Sequence, residues 1–370
     1  MDRKTSVQRM KCLAAGALCS GLFAASANAG QGADAAPPLQ DRTIGYVLTY
    51  LYWSIYQSED ASQDCPQGFN SGPRQQYEAL FPADGPTPTV TQAQLWMEGE
   101  TWNPTPGPDP FPFYEPQTKY ALGLNLDGIA GPEDFVSPDG EEGIDNQLYR
   151  TLGCIIGFRG PDGVEYIFEA KAIKDRRYNR LMLELTDVDS LDNDPEVKIA
   201  VYRGLDRLLT DASGDKVVPG GSQRIDTRWG KDLIRHIDGR IVDGVLTTDP
   251  IPDLIIPWMN LSVPTFQQVR DMRLRLKLSE KGAEGLIAGY VDVETWYRQL
   301  LRNDATHHLS NGDISALSLY KNLYRLADAY PDPETGQNTA ISASLNAEFV
   351  QVHIIHPDED EDPESTADTN

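Results

Sequence analysis

The sequence predicts a mainly β protein, built as two packed antiparallel sheets with two or three short helices inserted. Three observations carry this. Residues Arg270–Ser279 alternate Met272, Leu274, Leu276 and Leu278 with Arg273, Arg275, Lys277 and Ser279, the pattern of a strand with one buried and one wet face. Segments of strand character follow one another from Val164 onward, joined mostly by short polar connections. Hydrophobic residues make up 40% of the 370, enough to bury a core and to exclude a wholly disordered chain.

Residues 1–29 read as an export signal. Arg3, Lys4, Arg9 and Lys11 form a basic start, Cys12–Ala27 is a short apolar run, and Ala27-Asn28-Ala29 fits a small-x-small cleavage site. Neither Cys12 nor Cys19 follows a small residue, which argues against a lipid anchor. No later stretch is apolar for long enough to span a bilayer, so a soluble periplasmic or secreted protein is expected. Cleavage leaves 28 Lys and Arg against 55 Asp and Glu, a formal charge of −27. Such an anion is repelled by nucleic acid and by anionic membranes. Cleavage also leaves Cys65 and Cys154 as a pair in an oxidising compartment, where a disulfide is expected.

Residues 30–40 read as a flexible mature terminus and 41–118 as an irregular part rich in proline and aromatics. Within it Thr43–Gln57 has the β-branched and aromatic content of a long strand or a bent strand pair. Pro73–Leu80 and Thr91–Glu100 read as short helices. Asn103–Pro116, with six prolines, reads as an ordered strap. The core is expected over 119–356, opened by a strand at Lys119–Leu126, an acidic loop at Asp127–Asp145 and a helix at Asn146–Ile155. Strands follow at Val164–Lys174, Arg180–Thr186, Val197–Arg203 and Arg270–Ser279, with Gly285–Tyr297 as hairpin partner of the last. Gly220–Arg224 reads as a polar turn. A leucine and tyrosine stripe at Ile314–Tyr330, capped at Asn311–Asp313, reads as a helix, and Ala340–Ile355 as the closing strand. The like-charge tail 357–370 reads as disordered.

The catalytic candidates are Asp292 and Glu294 in Gly289–Trp296. On a strand, Tyr290, Asp292, Glu294 and Trp296 share a face, and two carboxylates one strand step apart stand about 7 Å from each other. Glycosidases use carboxylate pairs at comparable spacing, and Tyr290 and Trp296 would then bind sugar rings. The five residues Tyr290-Val-Asp-Val-Glu294 resemble the Glu-x-Asp-x-Glu strand of jelly-roll glucanases. Tyr290 stands where that family's nucleophilic glutamate would be, which argues against hydrolysis. A jelly-roll or lectin-like sandwich goes with this resemblance, and the plainer account of the stretch is an outward polar face.

Asp127, Asp134, Asp139, Glu141 and Asp145 are the candidate metal ligands, with calcium as the ion, because hard cations take oxygens from acidic loops with tight glycine turns. Gly123 stands where the first ligand of an EF-hand would be, so any site is looser than that motif. The alternative is a capped, solvated loop, with Asp145 as N-cap of the next helix. A second acidic turn, Asp187–Glu196, lacks glycine. The five histidines show no zinc spacing, and no nucleophile elbow, phosphate loop or dinucleotide glycine pattern occurs. The function expected is a binding or structural module for a glycan or another exported protein, with a carbohydrate-active hydrolase as the alternative.

Overall fold

The computed structural model describes residues 42–70, 95–97, 100–102, 113–160, 163, 166–175, 178–228, 230, 233–260, 263–300 and 316–357. All lie in the unit Pro38–Asn370. The expected leader, segment 30–40, the helix at Pro73–Leu80, residues 103–112 of the strap, the cap Asn311–Asp313, His307, His308 and residues 358–370 of the tail lie outside the described residues.

In chain order the strands are β1 (Arg42–Trp53), β2 (Leu95–Met97), β3 (Glu100–Trp102), β4 (Phe135–Val136), β5 (Glu142–Ile144), β6 (Leu181–Val188), β7 (Asp194–Arg203), β8 (Gly221–Arg224), β9 (Arg235–Val242), β10 (Val245–Thr248), β11 (Ile251–Asn260), β12 (Val263–Leu278), β13 (Gly282–Asp292), β14 (Ala329–Pro331) and β15 (Asn338–Ile355). The protein is mainly β, as expected, but it is not a two-sheet sandwich. Eight strands, β1, β6, β7, β9, β10, β12, β13 and β15, pair antiparallel, each with the next of the eight. β15 then pairs back onto β1, from Gly45↔Val352 to Trp53↔Leu345, and closes a barrel. Period-two alternation fixes which face of a strand is buried, and a sandwich and a barrel bury that face alike. Only the first-to-last pairing separates them.

The core is continuous with the barrel. Leu181, Leu183 and Leu185 of β6, Met272, Leu274 and Leu276 of β12, and Ile341, Ala343 and Leu345 of β15 are all buried in one cluster. Each such leucine contributes about 1.5–3 kcal/mol through burial. Trp53 and Trp258 stack within the same cluster, with ring centroids 5.4 Å apart. Between β12 and β13 the register breaks from Arg270 to Arg273, and Asp271 there takes a positive φ of 48°. Gly289 faces this bulge, where a Cβ would meet the Arg270 carbonyl at 2.8 Å and the Met272 Cα at 3.0 Å.

Several local expectations are corrected. The described residues of the helix expected at Thr91–Glu100 are strand, with Leu95–Met97 pairing antiparallel with Glu100–Trp102. Lys119–Leu126 forms no strand, only the bridges Tyr120↔Val136 and Leu124↔Asp145. Val164–Lys174 is not a strand, since Ile167–Ala172 is helical. Gly220–Arg224 is not a turn, since Gly221–Arg224 runs parallel to the end of β15. The helix expected at Asn146–Ile155 is shorter, Gln147–Leu152, and its cap is Asn146, whose side chain accepts from the Tyr149 N–H at 3.2 Å. The helix expected at Ile314–Tyr330 is described over Ala316–Leu326, and Ala329–Pro331 pairs with β15 as a strand. With residues 61–64 and 293–300 also helical, the helices outnumber the two or three expected.

Among the described residues β11 pairs with β12 only, and its other edge is met by side chains. Asp253, Ile255, Pro257 and Met259 lie two residues apart, so their backbone polar groups point the same way. Arg235 Nε donates to the Asp253 carbonyl at 2.9 Å, and Arg203 Nη2 donates to that of Ile255. The Tyr178 hydroxyl meets the Pro257 carbonyl at 2.5 Å, and the Met259 N–H donates to Glu169 Oε2. Four side chains thus occupy the row of backbone groups that would otherwise template another strand.

The stretch Gly123–Leu126 lies against the outer face of β12 and β13, while Phe135, Ile144, Leu148 and Leu152 further along join the main core cluster. Leu124 and Leu126 form a second, separate apolar cluster with Ala288, flanked by Leu286 and Tyr290 of β13. Arg273 Nη1 donates to the Asn125 carbonyl at 3.1 Å, and Arg275 Nη2 to that of Gly123 at 3.0 Å. The polar face of Arg270–Ser279, expected to be wet, is therefore partly covered. Cys65 and Cys154 form the expected disulfide, with Cα atoms 5.8 Å apart. Beside it Asp64 and Arg159 form a buried ion pair at 2.8 Å.

Candidate functional site

The strand reading of Gly289–Trp296 ends at Asp292, because residues 293–300 are helical. Val293, Trp296, Tyr297 and Leu300 are its buried stripe at helical spacing. Tyr290, Asp292, Glu294 and Trp296 therefore do not share one face. Asp292 opens the helix: its Oδ1 accepts from the Thr295 N–H at 2.8 Å, and its Oδ2 pairs with Arg270 at 2.9 Å. Tyr290 packs on the outer apolar cluster and meets Tyr330 edge to face, with centroids 5.9 Å apart. Trp296 is buried near Phe158, with centroids 6.3 Å apart.

Glu294 turns toward the helix Ala316–Leu326. Its Oε1 accepts from Arg298 Nε at 2.8 Å, and its Oε2 from the hydroxyls of Tyr320 at 3.1 Å and Tyr324 at 3.0 Å. Tyr320 sits between Tyr297 and Tyr324, with centroids 4.5 and 4.9 Å away. Burial first, and then the Glu294 charge, raise the pKa of Tyr320 and Tyr324. Both phenols thus keep their protons at neutral pH.

These two tyrosines line an open groove of about 620 Å³, together with Lys321, Arg325, Asp332, Thr335, Gln337 and Thr339. That volume falls in the range of small-ligand sites. Two aromatic rings among hydroxyls, an amide and charged groups suit a ligand with flat apolar faces and a polar rim. Sequence reasoning placed Tyr320 and Tyr324 only in a helical stripe. The signal that would have found their partner is the spacing Val293, Trp296, Tyr297, Leu300 behind Asp292, which marks a capped helix.

The acidic loop is engaged in its own turns and in docking. Asp127 Oδ1 accepts from the Ile129 N–H at 2.8 Å, and Asp134 Oδ2 from the Gly131 N–H at 2.5 Å. Asp145 does not cap the helix: its Oδ2 accepts from the Leu126 N–H at 2.6 Å, and burial pushes its pKa up to about 6. Glu141 pairs with Arg275 at 2.7 Å, and Asp139 is exposed. In the second turn Asp194 accepts from the N–H groups of Asp189 at 2.7 Å and Glu196 at 3.2 Å. Among the described residues no group of three or more His, Cys, Asp or Glu side chains is arranged to hold a metal ion. Likewise, no described helix is long and apolar enough to cross a membrane.

A second recess, of about 460 Å³, lies where the start of β1 meets β6 and the end of β15, and Glu184 lines it. Glu184 is buried, 2.9 Å from His356 Nε2, and its charge and a hydrogen bond add to burial in pushing the Tyr202 pKa up to about 12. Sequence reasoning gave neither Glu184 nor His356 a partner. Alternation alone places Glu184 on the face of β6 opposite its leucines, with no sign that this face is covered too.

Comparison with protein-family models, with curated proteins and with solved structures finds no match to this chain.

Proposed function

We propose that the protein is an exported binding module that holds a glycan in the groove beside the helix Ala316–Leu326. The observation that carries this is the pairing of Tyr320 and Tyr324 in an open groove otherwise lined by polar side chains. Sugar rings offer apolar faces to aromatic rings and hydroxyls to polar neighbours. The disulfide suits an oxidising compartment and supports export together with the basic and apolar start of the sequence. Hydrolysis by Asp292 and Glu294 is disfavoured, since the first serves a helix cap and Arg270, and the second serves Arg298 and two tyrosines.

The test is a glycan array followed by calorimetric titration of the strongest ligand into the wild type, Tyr320→Ala and Gln337→Ala. Both substitutions are expected to weaken binding by about tenfold or more, the effect of losing a ring stack or a ligand hydrogen bond. Unchanged affinity in both would remove the groove from the binding account.

A further inference from the structure

We propose that the groove selects neutral, hydroxyl-rich sugar rings over anionic ones, and that Glu294 sets this preference as a positioning residue by holding the hydroxyl protons of Tyr320 and Tyr324. The inference rests on the groove being the ligand site.

A phenol has a single hydroxyl hydrogen and lone pairs that accept. The hydroxyls of Tyr320 and Tyr324 lie 3.1 and 3.0 Å from Glu294 Oε2 and also hydrogen-bond to each other, so both hydrogens are held among these three side chains. Oε1 of the same carboxylate accepts from Arg298 Nε at 2.8 Å, which holds the carboxylate in place. The side chain of Glu294 is 28% exposed, which leaves its charge only partly screened by solvent. With both hydrogens committed, any hydrogen bond from these phenols to a ligand has the phenol as acceptor. A sugar hydroxyl satisfies that by donating. A carboxylate or sulfate has no hydrogen to give, and it also meets the negative charge of Glu294 beside the two hydroxyls.

The rest of the lining is consistent with a neutral ligand. Asp332 Oδ1 is occupied by its own turn, accepting from the N–H groups of Glu334 at 3.0 Å and Thr335 at 2.8 Å and from the Thr335 hydroxyl at 2.9 Å. Arg325 is paired with Glu115 and also donates to Asn322. The Thr339 hydroxyl donates to the Tyr330 carbonyl at 2.8 Å. Lys321 lines the groove as well, and the comparison below keeps it constant.

The experiment titrates a neutral oligosaccharide selected on the array, and the uronic acid oligosaccharide of matching linkage and length, into four proteins: wild type, Glu294→Ala, the double variant Tyr320→Phe with Tyr324→Phe, and Gln337→Ala. Circular dichroism and melting confirm that each is folded. The wild type is expected to prefer the neutral ligand by about tenfold or more, the scale of a hydrogen bond lost beside a charge. Glu294→Ala removes the carboxylate that both hydroxyls reach, and with it the charge, leaving at least one phenol hydrogen free to donate, so the preference should shrink by about fivefold or more. The double variant keeps the rings but not the acceptors, and it should shrink the preference in the same direction. Gln337→Ala should weaken both ligands without changing their ratio. A ratio near one in the wild type, or one untouched by Glu294→Ala and by the double variant, would overturn the inference, while the loss in Gln337→Ala would still support the groove. No binding by the wild type, or affinity unchanged in both Gln337→Ala and Tyr320→Ala, would overturn the groove and this inference together.

Discussion

The Tyr178 hydroxyl lies between Glu169 Oε1 and the Pro257 carbonyl oxygen, so one hydroxyl hydrogen faces two acceptors. The arrangement balances if Glu169 is a neutral acid that donates to Tyr178, while Tyr178 donates to Pro257. Oε2 of Glu169 already accepts from the Met259 N–H. Burial pushes the Glu169 pKa up to about 8, and the bonds from Tyr178 and Met259 only partly oppose this.

A pH dependence of stability follows. In the unfolded chain Glu169 ionises near its ordinary value of about 4.3. Between that pH and about 8 the folded protein holds one proton more than the unfolded one. The contribution to stability is therefore fully present below the unfolded pKa and is lost as pH rises, at up to about 1.4 kcal/mol per pH unit. Glu169→Gln keeps an acceptor for Met259 and a donor for Tyr178, so it should flatten this slope and melt higher than the wild type at pH 8. Glu169→Ala leaves Met259 and Tyr178 without their partner and should cost about 2–4 kcal/mol at pH 5. Denaturant unfolding across pH 5–9 checks both.

Reduction of Cys65–Cys154 should lower stability. The two cysteines are 89 residues apart in sequence, and in the chain-entropy model a loop of this size contributes about 4–5 kcal/mol. Melting with and without reductant, and melting of the Cys65→Ser, Cys154→Ser double variant, should agree in showing the loss.

Arg275 holds the acidic segment to the outside of β12 through the Gly123 carbonyl and Glu141. Arg275→Ala should cost about 1–3 kcal/mol and speed amide exchange over 123–145 while leaving the barrel strands protected. Uniform exchange changes across the chain would place the effect elsewhere.

Asp292→Ala removes a helix cap and the partner of Arg270. A stability loss of about 1–2 kcal/mol is expected, with ligand affinity unchanged within twofold. A large loss of affinity or the disappearance of a hydrolytic activity would return Asp292 to the catalytic candidates.

What was legible in the sequence follows from burial geometry. β6 and β12 include the segments where alternation of leucine with polar residues put strands, because a sheet face in contact with a core leaves that imprint, and β7 and β15 are also strands as expected. The closure of β15 onto β1 left none, since pairing partners far apart in sequence share only backbone hydrogen bonds. Ile167–Ala172 was misread because Tyr166, Ile167 and Phe168 carry strand propensity, and tertiary contacts such as those of Glu169 override it. β11 was missed because Pro252 and Pro257 break a strand pattern; at Pro257 the missing N–H falls on the edge closed by side chains. Of the candidate site, Glu294 was named, but with the wrong neighbours: the helix that begins after Asp292 turns it from a sugar-facing strand position toward Tyr320 and Tyr324.

The most direct test of the account is a crystal structure of the protein soaked with the neutral oligosaccharide that binds best in solution. The account predicts a sugar ring against the faces of Tyr320 and Tyr324, its hydroxyls within hydrogen-bond distance of Gln337 or Thr335. Sugar bound at the Glu184 recess instead, or an empty groove at saturating ligand, would contradict it.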